Sequence, residues 1–149
     1  WKPMNSKFGL NFGYTFTDSY DANTCDPDEL GSYADNECRL TGNKVIKAKV
    51  RVPKHAVETN IDYLINQNLK SSLRGKYIGE TRDFGNTNDS WTDQILTDYF
   101  VFDLVNSYNL FDNYKIQIGI NNIFDEKYQQ AHEYSTMGRS FNFGIRRVY

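Results

Sequence analysis

The sequence has no long apolar run, a formal net charge of only −2 and only two cysteines. Its uncharged apolar runs are all shorter than the roughly 18 residues that a membrane-spanning helix needs, which excludes a helical membrane protein. The 17 basic and 19 acidic residues nearly cancel, so the charge does not favour a nucleic-acid partner. With 149 residues, 39% of them apolar, the chain is long enough for one domain with a modest core.

Motifs of catalysis and of metal binding are missing as well. His55 and His132 are the only histidines, and no nucleophile or carboxylate stands at a matching spacing from either of them. The sequence holds no hydrolytic triad, paired-carboxylate site or phosphate loop, and two cysteines alone are too few for a zinc site. We therefore expect no enzymatic activity and no cofactor.

What the sequence does contain is a repeated alternation of apolar and polar residues. Aromatic residues make up 15% of the chain, and in residues 5–17 they share one face of an extended strand. Similar alternation predicts further strands in five regions, at about residues 55–65, 69–82, 96–108, 114–120 and 138–149. Strands that are apolar on one side suit a transmembrane barrel, but also a soluble sandwich or a small soluble barrel.

The connections between these strands differ in length. Polar, turn-rich segments at residues 18–43, 83–94 and 129–137 follow the first, third and fifth strands, whereas short turns at 66–68 and 111–113 follow the second and fourth. Outer-membrane barrels have short periplasmic turns and longer outside loops, so this asymmetry favours the membrane interpretation. It also predicts a periplasmic C-terminus and extracellular long loops.

Several segments resemble a known family. INNIFDEKY (residues 120–128), YSTMGRS (134–140), YIGETRD (77–83) and the aromatic-ended last strand are similar to the C-terminal part of TonB-dependent outer-membrane receptors, which include the siderophore and vitamin B12 transporters. The resemblance implies an all-β fold in which residues 1–149 form six antiparallel strands, the C-terminal segment of a transmembrane barrel of about 22 strands. It also implies a location in the bacterial outer membrane.

The same resemblance implies function and partners. Such a receptor takes up an iron-siderophore, cobalamin or similar scarce small-molecule ligand, driven by the TonB complex. Its other partners are outer-membrane lipid, the rest of the barrel with its plug domain, and the barrel insertion machinery. Because the chain begins at Trp1 and has room for only six strands, we expect a fragment without the plug. Two alternatives stay open, namely a passive outer-membrane porin or adhesin barrel and a small soluble β-barrel that binds an apolar ligand.

The closing strand also carries a candidate assembly signal. Its apolar row resembles the terminal signature that the insertion machinery recognises, although Arg147 interrupts it; the row consists of Phe141, Phe143, Ile145 and Tyr149. An aromatic ring at the chain end would also suit the membrane interface.

Candidate site residues lie mainly in the predicted outside loops. Cys25 and Cys38 stand in a polar, acidic segment and are predicted to form a loop disulfide, with free thiols as the alternative. Asp26, Asp28 and Glu37 imitate a calcium-loop spacing, although an ordinary solvated acidic loop also explains them. Three further residues are candidates for ligand contact or for interface anchoring: Trp91, His132 and Tyr134.

Charged residues of the predicted strands suggest a lumen. We expect five side chains to face a watery interior and to pair with each other or with the plug: Asp62, Arg74, Lys76, Glu80 and Asp103. Six strands cannot close a barrel, so two edges would carry unpaired backbone groups. The isolated chain is therefore expected to be unstable or to aggregate.

Overall fold

The structure is a computed structural model that describes residues 7–21, 38–41, 44–87, 90–111 and 113–147, and these residues form β-strands and no helix. No segment within the described ranges is a helix that could span a membrane. In chain order the strands are β1 (Phe8–Phe16), β2 (Tyr20–Asp21), β3 (Cys38–Thr41), β4 (Lys44–Ala48), β5 (His55–Leu64), β6 (Leu69–Ile78), β7 (Thr81–Thr87), β8 (Ser90–Leu96), β9 (Tyr99–Leu110), β10 (Tyr114–Asn121), β11 (Gln129–Ala131), β12 (Tyr134–Ser135) and β13 (Ser140–Arg147).

Six of these strands form one antiparallel sheet in the order β1-β5-β6-β9-β10-β13. Each of the six strands pairs with the next of the six along the chain, so the three long connections all leave the sheet at the same end of its strands. We call this end of the sheet the loop edge, and we call residues 17–54, 79–98 and 122–139 the first, second and third long connections. The predicted six-stranded antiparallel arrangement and the predicted alternation of long and short connections are both confirmed.

The pairing register brings the apolar rows of the six strands onto one side. Phe12 stands opposite Thr59, Thr59 opposite Gly75, and Gly75 opposite Phe102, and the same parity continues into β10 and β13. We call this side the apolar face. Its large side chains are exposed, with Phe12 at 69% and Ile118 at 53% of their full accessible surface.

An exposed apolar surface of this extent is unusual for a soluble monomer and marks contact with lipid or with another apolar partner. Among the described residues, the buried apolar side chains are Leu96 and Tyr99, and neither lies on the apolar face. The fold is thus not organised around a sealed core made from the aromatic rows, as the soluble barrel or sandwich would require.

The surroundings of Gly75 show how side chains of neighbouring strands pack against one another on the apolar face. The neighbouring Phe102 ring and the Thr59 methyl group lie over this glycine, and a Cβ placed there would approach both within 2.9 Å. The ring therefore covers the backbone of the adjacent strand, which leaves no gap on the face despite the missing side chain.

Two predicted polar loops prove to contain hairpins. β7 and β8 pair across residues 81–96, and β11 pairs with β12 across residues 129–135, so the expectation of irregular loops at 83–94 and 129–137 was wrong. Polar residues form strands in β7-β8 because their buried side chains have polar partners, as Arg82 has in Asp93, so this hairpin needs no apolar alternation in the sequence. The strand predicted to reach residue 82 also ends earlier, at Ile78.

Candidate functional site

The loop edge carries all the small sheets of the described chain. The first long connection contributes the sheet β2-β4-β3, the second contributes β7-β8 and the third contributes β11-β12. Residues from the three connections meet around one side chain, the carboxylate of Asp83, which is 0% exposed.

Asp83 accepts hydrogen bonds from three directions. Arg51 of the first long connection donates from Nε to Oδ1 at 2.9 Å, and the Phe84 amide donates to the same oxygen at 2.9 Å. The backbone N–H of His132, in the third long connection, donates to Oδ2 at 2.6 Å. A single carboxylate of the second long connection is therefore hydrogen-bonded to both the first and the third long connections.

The electrostatics of Asp83 agree with this geometry. Burial raises the pKa of the Asp83 carboxyl, but the hydrogen bonds from the His132 amide, Arg51 and the Phe84 amide outweigh burial and hold the pKa below its usual value. The group is therefore a carboxylate at neutral pH, as its three donors require.

A second ion pair, which is buried on both sides, stabilises the β7-β8 hairpin itself. Arg82 donates from Nε and Nη2 to Asp93 Oδ1, at 2.9 and 2.6 Å, and the two side chains are almost fully buried. The guanidinium also lies over the Phe84 ring, 4.6 Å from its centroid, where the ring quadrupole attracts the cation. These contacts fix the hairpin that presents Asp83.

The three loop residues predicted for ligand contact or interface anchoring occupy different positions at the loop edge. His132 packs its ring over Gly85 of β7, so closely that a Cβ at Gly85 would collide with the ring. Tyr134, in β12, is 73% exposed. Trp91 lies in β8 with its backbone opposite Asn86. Sequence reasoning therefore identified three residues of the loop edge, but missed Asp83 and Arg51, which hold that edge together.

The opposite side of the main sheet is polar, and we call it the polar face. Lys70 Nζ lies 3.0 Å from Asp62 Oδ2, and Ser72 donates to Asp62 Oδ1 at 2.6 Å. A cavity of about 420 Å³ lies on this face, and its polar lining includes Asn11, Glu58, Asn60, Arg74, Lys76 and Asp103. Arg74 stands in register with Asp103, in agreement with the expectation that these charges share one face.

Glu80 departs from that expectation. It lines a concavity together with His55 and Tyr77, which belong to the apolar face. The reason is that the alternation ends with β6 at Ile78, so the parity counted from the sequence no longer applies two residues later.

A second cavity, of about 460 Å³, lies where the polar face meets the third long connection. Tyr99 and Tyr128 stack there with ring centroids 4.2 Å apart, and Lys76, Asp103, Asn121, Gln130 and Met137 also contribute to the lining. Aromatic rings beside a cation and amide groups are a common lining for a small polar ligand with an apolar part.

The turn that forms one wall of this cavity is fixed by Asn122. Its backbone N–H donates to Asp103 Oδ1 at 2.8 Å, while its side chain bonds both the N–H and the C=O of Glu126. Asn122 adopts φ 52°, a conformation that asparagine tolerates better than most residues. This residue type is therefore suited both to the turn and to its hydrogen bonds.

Most of the remaining predicted sites lie outside the described residues. Cys25, Asp26, Asp28 and Glu37, as well as Tyr149, lie outside the described residues, whereas Cys38 opens β3. Within the described ranges, no group of three or more His, Cys, Asp or Glu side chains could hold a metal ion. The loop disulfide and the calcium alternative remain predictions.

The terminal apolar row is exposed as far as the structure describes it. Phe141, Phe143 and Ile145 all point outward from β13 on the apolar face. Arg147, which interrupts the row, lies with its guanidinium carbon 5.9 Å from the centroid of the Tyr114 ring on the neighbouring strand. An aromatic partner thus accommodates the cation at the end of the row.

Comparison with known proteins identifies the fold. No protein-family model matches the chain, and no curated protein sequence is significantly similar to it. Solved structures do match: the ferric-catecholate import receptor Fiu of E. coli K12 superposes with a TM-score of 0.71 at 18% identity, over 97% of this chain and 19% of that one. The siderophore receptor PiuA of Acinetobacter baumannii gives a TM-score of 0.66 at 22% identity, over 98% of this chain and 20% of that one.

A third match is the ferripyoverdine receptor of the outer membrane of Pseudomonas aeruginosa, with a TM-score of 0.66 at 16% identity over 97% of this chain and 18% of that one. The chain thus spans about a fifth of the length of the solved structures that it matches. These neighbours are transport receptors, and their outer-membrane location agrees with the one that the sequence predicts. The chain therefore has the fold of part of the wall of the outer-membrane siderophore receptors, which confirms at the level of the fold the resemblance seen in the sequence.

Proposed function

We propose that the chain is the C-terminal part of the barrel of a TonB-dependent outer-membrane receptor that takes up an iron-siderophore complex. The observation that carries this proposal is the opposition of the two faces of the six-stranded sheet. One face exposes aromatic and aliphatic rows suited to acyl chains, and the other bears charges suited to a watery lumen. The fold shared with siderophore receptors supports the same assignment.

The ligand is proposed to enter from the loop edge. The cavity beside Tyr99 and Tyr128 lies between the polar face and the third long connection, so a molecule arriving at the loops would reach it before the middle of the sheet. Tyr134, which is exposed on β12, is a candidate for the first contact with the ligand. His132 packs against Gly85 and is better suited to shape the loops than to bind.

The proposal assigns this chain the wall, the loops and an assembly signal. The row of Phe141, Phe143 and Ile145, together with Tyr149 of the sequence, is proposed as the signal for the barrel insertion machinery. The proposal is supported by the exposure of Phe141, Phe143 and Ile145 on an edge strand. The plug and the segment that contacts TonB would belong to other parts of the polypeptide. Transport of this kind requires no bond-breaking chemistry, so we propose no enzymatic role.

A growth assay tests the proposal. The full-length gene is deleted in its host, and growth is measured with individual ferric siderophores as the sole iron source and, in separate cultures, with cobalamin as the limiting nutrient. We expect deletion to abolish growth on at least one ferric chelate, and removal of TonB to have the same effect. Growth that is unaffected on every chelate would refute the siderophore assignment, and uptake that persists without TonB would indicate a passive porin.

A further inference from the structure

The three long connections are joined by more than the bonds of the Asp83 carboxylate. The Arg51 amide donates to the Arg82 carbonyl at 2.8 Å, which adds a backbone bond between the first and second connections. The His132 ring fills the space above Gly85, and β11 lies beside β8, which adds two contacts between the second and third. Arg82 and Gly85, which make two of these contacts, both lie within two residues of Asp83 on β7.

A further cavity depends on how the second and third connections are placed. It measures about 460 Å³, and its lining comes from both connections, with Gln94 and Leu96 on one side and Tyr128, His132 and Ser135 on the other. No single connection could form it, so its shape follows from the distance between the two hairpins.

We propose that Asp83 is a positioning residue that locks the three long connections into one unit and thereby sets the geometry with which they receive the ligand. The proposal rests on the proposed function for its second half, the reception of a ligand. Its first half, the locking of the connections, concerns the protein alone.

The chemistry of the side chain explains why a carboxylate is needed. Three N–H donors converge on its two oxygens, from Arg51, Phe84 and His132. An asparagine has nearly the same shape but only one acceptor oxygen, and its NH₂ group would face a donor. In a fully buried site the unpaired donor and the loss of charge are costly, whereas the packing hardly changes.

Hydrogen–deuterium exchange on the full-length protein in detergent micelles tests the lock. We expect Asp83→Asn to raise amide exchange about tenfold at residues 49–52 and at 129–135, which lie in other connections, because a charge-assisted hydrogen bond is lost from each. Exchange in the six main strands should not change. The matched control is Asp98→Asn, which removes an exposed carboxylate from the same connection.

A second variant disturbs the contact between the second and third long connections by steric overlap and not by loss of a charge. Gly85→Ala keeps every charge but places a methyl group where the His132 ring lies, so we expect faster exchange at 129–135 without any change at 49–52. Gly144→Ala is its control, because nothing lies within 4 Å of a Cβ at Gly144. Resistance of the unheated variants to SDS verifies that each barrel has folded. If exchange in Asp83→Asn changes only at 81–87, or nowhere, the lock does not exist.

Ligand binding tests the second half. With a ferric tris-catecholate complex as the probe, we expect Asp83→Asn to raise the KM of uptake severalfold and to leave the maximal rate unchanged, since the loops and not the energy coupling are altered. An unchanged KM in a variant whose loops exchange faster would overturn the positioning role. If the unmodified protein takes up no ferric chelate, the proposed function fails, while the exchange data still decide the lock.

Discussion

At the scale of single residues, buried polar side chains connect the segments of the loop edge through hydrogen bonds and ion pairs. Asp83, Arg82 and Asn122 are all buried, and each has hydrogen-bond or ion-pair partners. A buried polar group that loses its partner costs about 1–3 kcal/mol, more than most exposed contacts contribute. Substitutions at these positions are therefore expected to have larger effects than substitutions of the exposed aromatic residues around them.

Asn122 provides the first quantitative prediction. Asn122→Ala removes two hydrogen bonds to Glu126 and places a less tolerant residue at φ 52°, so we expect a loss of about 2–4 kcal/mol in the free energy of unfolding. Asn122→Gly removes the same bonds but tolerates the backbone, and should recover about 1 kcal/mol of that loss. Urea unfolding of the full-length protein in lipid vesicles measures both values. Equal losses would show that the backbone conformation contributes nothing.

Asp83 provides a prediction about pH. Its pKa is lowered in the folded protein, so its contribution is fully present above the unfolded carboxyl pKa of about 3.9 and is lost as the pH falls through the lower folded value. Amide protection at residues 129–135, corrected for intrinsic exchange, should therefore be constant from about pH 8 to about pH 5 and fall only in stronger acid. Asp83→Asn should show low protection throughout. A drop in protection near neutral pH would contradict this assignment.

At the scale of elements, the sequence predicts the long strands but not the short ones. The six main strands were found because a membrane-type sheet separates apolar and polar residues strictly by parity, as in Phe8–Phe16. The hairpin β7-β8 has no such separation, because Thr81–Thr87 is mostly polar and includes Asp83, Gly85 and Asn86, which also form turns. Its pairing depends on backbone bonds and on the Arg82–Asp93 ion pair, which leave no periodic trace in the sequence.

The two faces of β10 can be compared by one substitution on each. Ile118 is exposed on the apolar face in the middle of the strand, and Gln117, its neighbour, lies on the polar face, where it bonds Ser107. A lysine on the lipid side near the midplane costs about 2–4 kcal/mol, whereas a lysine in the lumen stays hydrated. We therefore expect Ile118→Lys to lower the urea midpoint of the full-length barrel strongly, and Gln117→Lys to leave it nearly unchanged.

Because β10 is paired on both sides, neither substitution lies at an edge of this sheet. The pair is therefore matched in position and in introduced charge, and differs only in the face that receives the lysine. Similar effects of the two substitutions, or a larger effect at Gln117, would mean that the apolar face does not contact lipid.

At the scale of the whole molecule, the loop edge was less predictable than the sheet. Strand order followed from alternation and connection length, which are local properties of the sequence. Asp83 meets Arg51 and His132 across separations of 32 and 49 residues, and no local pattern indicates such a contact. Sequence reasoning could place His132 in a loop, but only the packing of one connection on another shows that its backbone N–H donates to Asp83.

The open sheet leads to the last prediction. β1 pairs with β5 alone and β13 with β10 alone among the described strands, so each edge strand of the six carries a row of backbone groups that a neighbouring strand of a complete barrel would bond. The apolar face is exposed as well, which in water favours association. We expect residues 1–149, expressed alone, to aggregate in plain buffer, and the full-length protein in detergent to elute as one species. Size-exclusion chromatography with light scattering distinguishes the two results, because a monodisperse, cooperatively melting preparation of the isolated chain would mean that its edges and apolar face need no covering.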